Sequence, residues 1–207
     1  MASVTRLVTA GNRDPAGPPV HENNVWLVGD AEEVIVVDPA HDAAAVADAV
    51  AGRRVSAVLL THGHWDHVRA VPAFAALVGD PPVFLRPEDE FLWKREHADA
   101  GFQPLAAGRM FTVAGATLSA VATPGHTPGS TCFVAPELGC VLSGDTLFEG
   151  GPGATRWDYS SFEQILSSIS EHLLTLPDAT AVHPGHGAST TVGTERPSLG
   201  QWRARGW

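Results

Sequence analysis

Three histidines and an aspartate fall within six positions of "THGHWDH": His62, His64, Asp66 and His67. Neither packing nor solubility asks for such a cluster behind the apolar run "AVLL". Imidazole and carboxylate are both metal-ligand types. In an extended segment residues two apart point the same way, so His62 and His64 can grip one ion. Asp66 and His67 come where the chain turns into the next helix and can aim at a second point nearby. Two adjacent metal sites follow. The donor types suit zinc, and also iron or manganese.

Similar residues recur further along: Asp38 closing "VIVVD", His126 in "ATPGHTPGS", Asp145 in "LSGDTLF" and His186 in "HPGHG". Each alone is unremarkable in type, but each stands at the carboxyl end of an expected strand. Ligands in open α/β sheets bind outside those ends, so groups far apart in sequence can meet there. His21, His41, His97 and His172 read as surface or core residues, and His183 as a support for its neighbour His186 at most.

The elements that must position these groups follow from the hydrophobic pattern. "NVWLVGD" and "EVIVVD" read as a hairpin, "DAAAVADAV" as a helix capped near Asp42 and stopped at Gly52, and "VSAVLL" as a buried strand. "VRAVPAFAAL" and "PEDEFLWKRE" read as helices with proline in or at their first turns, separated by the strand "PVFLR". Four strands follow, "RMFTVAG", "TLSAVATP", "TCFVA" and "CVLSGD", then a long helix "SSFEQILSSISEHLLTL" and a last strand and turn, "ATAVHPGHG". Alternating strands and helices with hairpins give an α/β class with layered sheets.

Composition sets the bounds. The 207 residues fit one domain, 1–207, and 44% apolar with 17% charged residues is globular. No apolar run approaches the ~20 residues of a membrane span, and no basic segment leads into an apolar one at the start, so a cytoplasmic protein is expected. A net charge of −10 opposes a nucleic-acid partner. Cys132 and Cys140 lie within expected strands, outside any nucleophile turn, and read as small core residues. Ser130 reads as a turn residue. Trp202 and Trp207 in the tail are expected to cover the core.

From about Val25 to Gly187, "THGHWDH", "TPGHTPGS", "SGDTLFEGG" and "HPGHG" resemble, in order, the metal motifs of the metallo-β-lactamase superfamily. The wording is most similar to glyoxalase II-like (hydroxyacylglutathione hydrolase-like) thioester hydrolases. The resemblance implies a four-layer αββα sandwich with the site at one edge of its two sheets. It implies that His62, His64 and His126 hold one metal, that Asp66, His67 and His186 hold a second, and that Asp145 bridges them, with Asp38 supporting from behind. It also implies two divalent ions, zinc first with iron or manganese admissible, and a shared hydroxide, oriented by Asp66, that attacks a thioester carbonyl. A thiolate leaves without acid assistance.

Glyoxalase II enzymes of the longer type carry a helical C-terminal domain with the glutathione contacts. Only about twenty residues follow His186, so those contacts have no positions here, and no separate substrate domain is expected. The substrate is expected to be a small-molecule thioester; its acyl group and its thiol (glutathione, mycothiol or another) stay open, as does the oligomeric state. The glycine-rich stretch Glu149 to Asp158 reads equally as a connection or as a substrate-contacting loop, with Arg156 available to an anionic substrate. The alternatives are a persulfide dioxygenase with one iron on two histidines and an aspartate, another hydrolase such as a lactonase or phosphodiesterase, and a metal-binding module without catalysis.

Overall fold

"VWLV" in β2 (His21–Gly29) and "VIVV" in β3 (Glu33–Val37) are apolar at every position, a pattern strands adopt when both faces are covered. The computed structural model describes residues 1–14, 16–18 and 20–206 and covers both faces. A strand the sequence reading does not anticipate, β1 (Ser3–Gly11), pairs antiparallel with β2 along its whole length. The first sheet has the order β1-β2-β3-β4-β5-β6, with β4 at Arg54–Leu59, β5 at Val83–Leu85 and β6 at Gln103–Pro104. Its β3 to β6 strands run parallel.

The second sheet contains β7 (Met110–Val113), β8 (Ala116–Ala122), β9 (Thr131–Ala135) and β10 (Cys140–Gly144). A small hairpin, β11 (Leu147–Phe148) and β12 (Gly151–Pro152), follows β10. The sheet is completed by β13 (Ala181–Pro184), parallel to β10, and β14 (Thr190–Thr191), in the order β14-β13-β10-β9-β8-β7.

Trp26, Ile35, Leu59, Phe111, Phe133 and Leu142 fill the space between the sheets. Neighbouring residues on the same strands, such as Val34 and Val36, face the other way. They meet α1 (Ala43–Val50), α3 (Val71–Leu77) and Trp93 of α4 (Glu90–Glu96). The second sheet's outer face packs Val141 and Val182 against α5 (Phe162–Ser168) and Trp202. The layers are therefore helix, sheet, sheet, helix, as the resemblance implies. Trp202 does cover the core; Trp207 lies outside the described residues.

Local chemistry sets the element ends. Asp42 caps α1 by accepting from Ala45 N at 3.0 Å. The stop comes at Ala51, whose φ of 56° already enters the left-handed region, one residue before Gly52. Ser161 caps α5, and beyond Ser168 the helix widens into a π turn, Ile169–Leu173, closed by Leu174 N donating to Ile169 O at 2.9 Å. Both cysteines are free and buried, and burial pushes each thiol up to about 11, in keeping with packing roles. Among the described residues no helix is long and apolar enough to cross a membrane.

Phe133 is fully buried between the sheets, whereas Met110 is exposed. Urea unfolding of the metal-free chain should show Phe133→Ala losing about 3–5 kcal/mol, and Met110→Ala staying within about 0.5 kcal/mol of the parent.

Candidate functional site

All eight residues singled out from the motifs lie at one edge of the sandwich, beyond strand ends. Asp38 follows β3, and His62 and His64 follow β4. Asp66 and His67 belong to α2 (Trp65–Val68), while His126, Asp145 and His186 follow β8, β10 and β13. Side chains stitch the two sheets together beneath them. Asn24 Nδ2 donates to Pro184 O and Gly187 O at 2.9 and 3.0 Å, and Trp26 Nε1 donates to Pro184 O at 3.0 Å. Thr131 N donates to Thr61 O at 2.8 Å. The approach is so close at Gly185 that a Cβ there would collide with Asp145 Oδ1 and lie 2.6 Å from His67 Cε1.

Two trios of donor atoms result. His64 Nδ1 stands 3.0 Å from His62 Nε2 and 3.0 Å from His126 Nε2. His186 Nε2 stands 3.3 Å from His67 Nε2 and 3.3 Å from Asp66 Oδ2, with His67 and Asp66 3.8 Å apart. Nitrogens bound to a tetrahedral zinc at 2.0–2.1 Å are separated by roughly 3.3 Å, and both trios have that scale.

The remaining nitrogen of each ring is occupied. His126 Nδ1 donates to Ala154 O at 2.7 Å and His186 Nδ1 to Glu22 O at 2.6 Å. His67 Nδ1 donates to Asp38 Oδ2 at 2.9 Å. Thr61 Oγ1 gives its own proton to Asp38 Oδ2 at 2.5 Å, so it accepts from His62 Nδ1 at 3.1 Å. His64 Nε2 meets the Tyr159 hydroxyl at 3.0 Å. With each outer nitrogen engaged, each inner nitrogen can turn a lone pair to a cation.

Asp145 lies between the trios. Its Oδ2 is 3.5 Å from His126 Nε2 and 3.4 Å from His186 Nε2, and its Oδ1 is 3.5 Å from His67 Nε2. That Oδ1 is buried without a hydrogen-bond partner among the described residues, an acceptor whose burial calls for a cation. The donor set, the spacing and this orphaned oxygen all fit metal ions.

Residues 18–186 match the family described as the metallo-beta-lactamase superfamily. The chain belongs to this superfamily. It is 32% identical to the probable metallo-hydrolase YqgX of Bacillus subtilis, over 89% of this chain and 93% of that protein. It is 30% identical to hydroxyacylglutathione hydrolase GloC of Haemophilus influenzae, over 86% of this chain and 91% of that one. Among solved structures it is similar to TTHA1623 in a di-iron-bound form, with a TM-score of 0.75 and 32% identity over 84% of this chain and 92% of that one.

Several supporting residues escaped the sequence reading. Asp89, in the turn before α4, is fully buried and accepts from Gly63 N at 2.8 Å, Gly129 N at 2.7 Å and Thr127 Oγ1 at 2.7 Å. It thereby ties the loop of His62 and His64 to the loop of His126. A Cβ at Gly129 would lie 2.6 Å from its Cγ, which accounts for glycine there. His41, expected to be an ordinary histidine, donates from Nε2 to Asn23 Oδ1 at 2.7 Å, and Asn23 Nδ2 donates to Asp66 Oδ2 at 3.2 Å. His41 holds a φ of 56°, uncommon outside glycine. His183 stacks on Trp26 and bonds Ser189 instead of supporting His186. His97 bonds Val68 O, and His172 is exposed on the π turn, while His21 borders the site beside Trp65.

The site opens into a cavity of about 610 Å³, walled by Trp65, Phe148, Trp157 and Tyr159. The stretch Glu149 to Asp158 thus contributes a wall: the Trp157 ring lies 4.5 Å from that of His64 and parallel to Tyr159.

The trios differ in how they hold protons. Burial lowers His62 and His126 and brings His64 down to about 3, so the first trio is bare at neutral pH. Burial alone would also lower His67 and His186, but the carboxylates of Asp145, Asp38 and Asp66 override it for His67 and raise it to about 9. Asp145 and Asp66 raise His186 to about 11. A cation entering the second trio must displace those protons. Calorimetry at pH 7.5 in buffers of different ionisation enthalpy should show the second zinc equivalent releasing about two protons more than the first. Affinity for the second should rise with pH towards 9; equal release by both would contradict this assignment. Asn23→Ala should weaken only the second equivalent, by about tenfold in chelator competition.

Proposed function

We propose that this protein is a binuclear metal-dependent hydrolase of the glyoxalase II type, cleaving an acyl thioester of a low-mass thiol. The observation that carries the reading is Asp145, whose carboxylate reaches both trios while His62, His64, His126, Asp66, His67 and His186 all face inward. Two divalent ions there, zinc by donor type with iron or manganese compatible, would supply Lewis-acid polarisation of the carbonyl and a water acidified to a pKa near 7.

The chain's own residues complete the chemistry. Asn23 fixes the Asp66 carboxylate, which is thereby placed to accept a hydrogen bond from the attacking water. Tyr159, accepting from His64 Nε2, keeps its hydroxyl proton to donate into the cavity, where a carbonyl oxygen gains charge. The aromatic walls exclude bulk water from the reacting carbonyl. The carboxyls lining the cavity are Asp66, Asp145 and Glu96, and Glu96 is held by Arg69. None of these carboxyls is left over to protonate a poor leaving group, which favours a thiolate over an alkoxide or amine.

The similarity to GloC supports the same class. We further propose that residues 1–207 act as one domain, with the substrate pocket built inside it, and that the protein works in the cytoplasm, where two free buried thiols stay reduced. The test is thiol release from S-lactoylglutathione and related thioesters by zinc-loaded protein beside Asp145→Asn. Release that the variant loses by at least about 100-fold is the expected result. No release from any thioester with two metals bound would overturn the reading, as would a single bound iron with oxygen uptake on a persulfide.

A further inference from the structure

Three guanidiniums stand at the rim of the metal cavity, brought there by three separate segments: Arg13 between β1 and β2, Arg95 on α4, and Arg156 in the wall after β12. All three residues are exposed. The chain has 23 acidic against 13 basic residues, so carboxylate partners are plentiful. Some arginines elsewhere take them: Arg54 pairs with Glu33, Arg86 with Glu88, and Arg196 with Asp178. Others do not, Arg53 bonding backbone carbonyls and Arg109 lying over Phe84, so what sets the rim trio apart is its convergence on one cavity. Among the described residues Arg13, Arg95 and Arg156 form no ion pair.

Their placement is built by a fourth arginine. Arg69 lies over the Trp65 ring at 4.6 Å and pairs through Nε with Glu96 at 3.0 Å, removing the carboxylate beside Arg95. Its Nη1 donates to Asn12 O and Arg13 O, both at 3.0 Å, so the loop bearing Arg13 is tied to the helix bearing Arg95. Arg156 is held over the Trp157 ring at 5.0 Å, and Arg95 over Phe91 at 5.3 Å. Cation–π contact orients a guanidinium while leaving its N–H groups free to bond an anion.

We propose that Arg13, Arg95 and Arg156 form the receptor for an anionic thiol half of the substrate, one carrying two or more carboxylate or phosphate charges. This rests on the thioesterase reading for the reacting end, which sits over the histidines at the cavity floor. The charged end of the thiol reaches the rim, where guanidinium forks match carboxylate and phosphate oxygens. A neutral sugar-type thiol would leave the three cations without partners.

The test has a binding arm and a turnover arm. In the first, Trp fluorescence follows titration of zinc-loaded protein with N-acetyl-S-methylglutathione, its uncharged diethyl ester, and coenzyme A. The charged probes should bind at least about tenfold more tightly than the ester, a preference that weakens with salt. The stronger of the two charged probes distinguishes carboxylate from phosphate. Arg13→Ala, Arg95→Ala and Arg156→Ala should each reduce the charged-over-neutral preference by about tenfold. Lys94→Ala, which removes a charge from α4 outside the cavity, should leave it intact.

In the second arm, acetyl thioesters of the same thiols are compared by kcat/KM. Equal binding of charged and neutral probes would overturn the receptor even if every thioester is hydrolysed. Selective binding without thioester turnover would keep the receptor and reject the reaction.

Discussion

The active arrangement depends on what lies behind each histidine. An imidazole can offer a lone pair to a cation from one nitrogen only while the other holds the proton. Five rings therefore need five acceptors at their outer nitrogens, and the fold provides them from unlike sources. Ala154 and Glu22 give backbone carbonyls, Asp38 a carboxylate, and Thr61 and Tyr159 hydroxyls. Ala154 and Glu22 belong to segments that contribute no donor atom to either trio. Their positions make sense as constraints on ring orientation, and the segment after β12 and the start of β2 are held to the site for that purpose.

Two buried aspartates that face no trio directly organise the rest. Asp38 accepts from Thr61 N at 2.8 Å as well as from Thr61 Oγ1 and His67, so one carboxylate controls a ring in each trio. It does so from a φ of 50°, a strained conformation for a residue other than glycine, held by those three bonds. Asp89 does the equivalent for the loops, fastening that of His62 to that of His126 from beneath α4. Burial pushes the Asp89 carboxyl up, and the donors around it oppose that shift. The negative charge of Asp66 and Asp145 is stabilised chiefly by His67 and His186, which draw both well below the usual carboxylate range against the effect of burial.

The inward-facing residues were legible because ligand chemistry imposes residue type at each position, and because strand ends put four separate motifs at one edge. The layers were legible for a related reason: strands covered on both faces are apolar throughout. The supporting residues were not. Asp89 sits in what reads as an ordinary acidic helix start, and its partners Gly63 and Gly129 are 26 and 40 residues away. His41 gains its meaning from Asn23 across the sheet, which no local pattern displays. The first strand escaped because "SVTRLVTAG" is an edge strand with mixed exposure and little apolar alternation. Glu149 to Asp158 left connection and substrate wall equally open, since the placement of Trp157 against His64 is set by tertiary packing. The convergence of Arg13, Arg95 and Arg156 on one cavity is likewise a property of the folded surface alone.

We propose that seven side chains, oriented from behind, define two adjacent cation positions sharing Asp145. Anomalous diffraction at the zinc edge from crystals of the zinc-loaded protein tests it directly. Two peaks about 3.5–4 Å apart are expected, one among His62, His64 and His126 and the other among Asp66, His67 and His186, both within bonding distance of Asp145. A single peak at saturating zinc, or a second peak outside the Asp66, His67 and His186 trio, would contradict it.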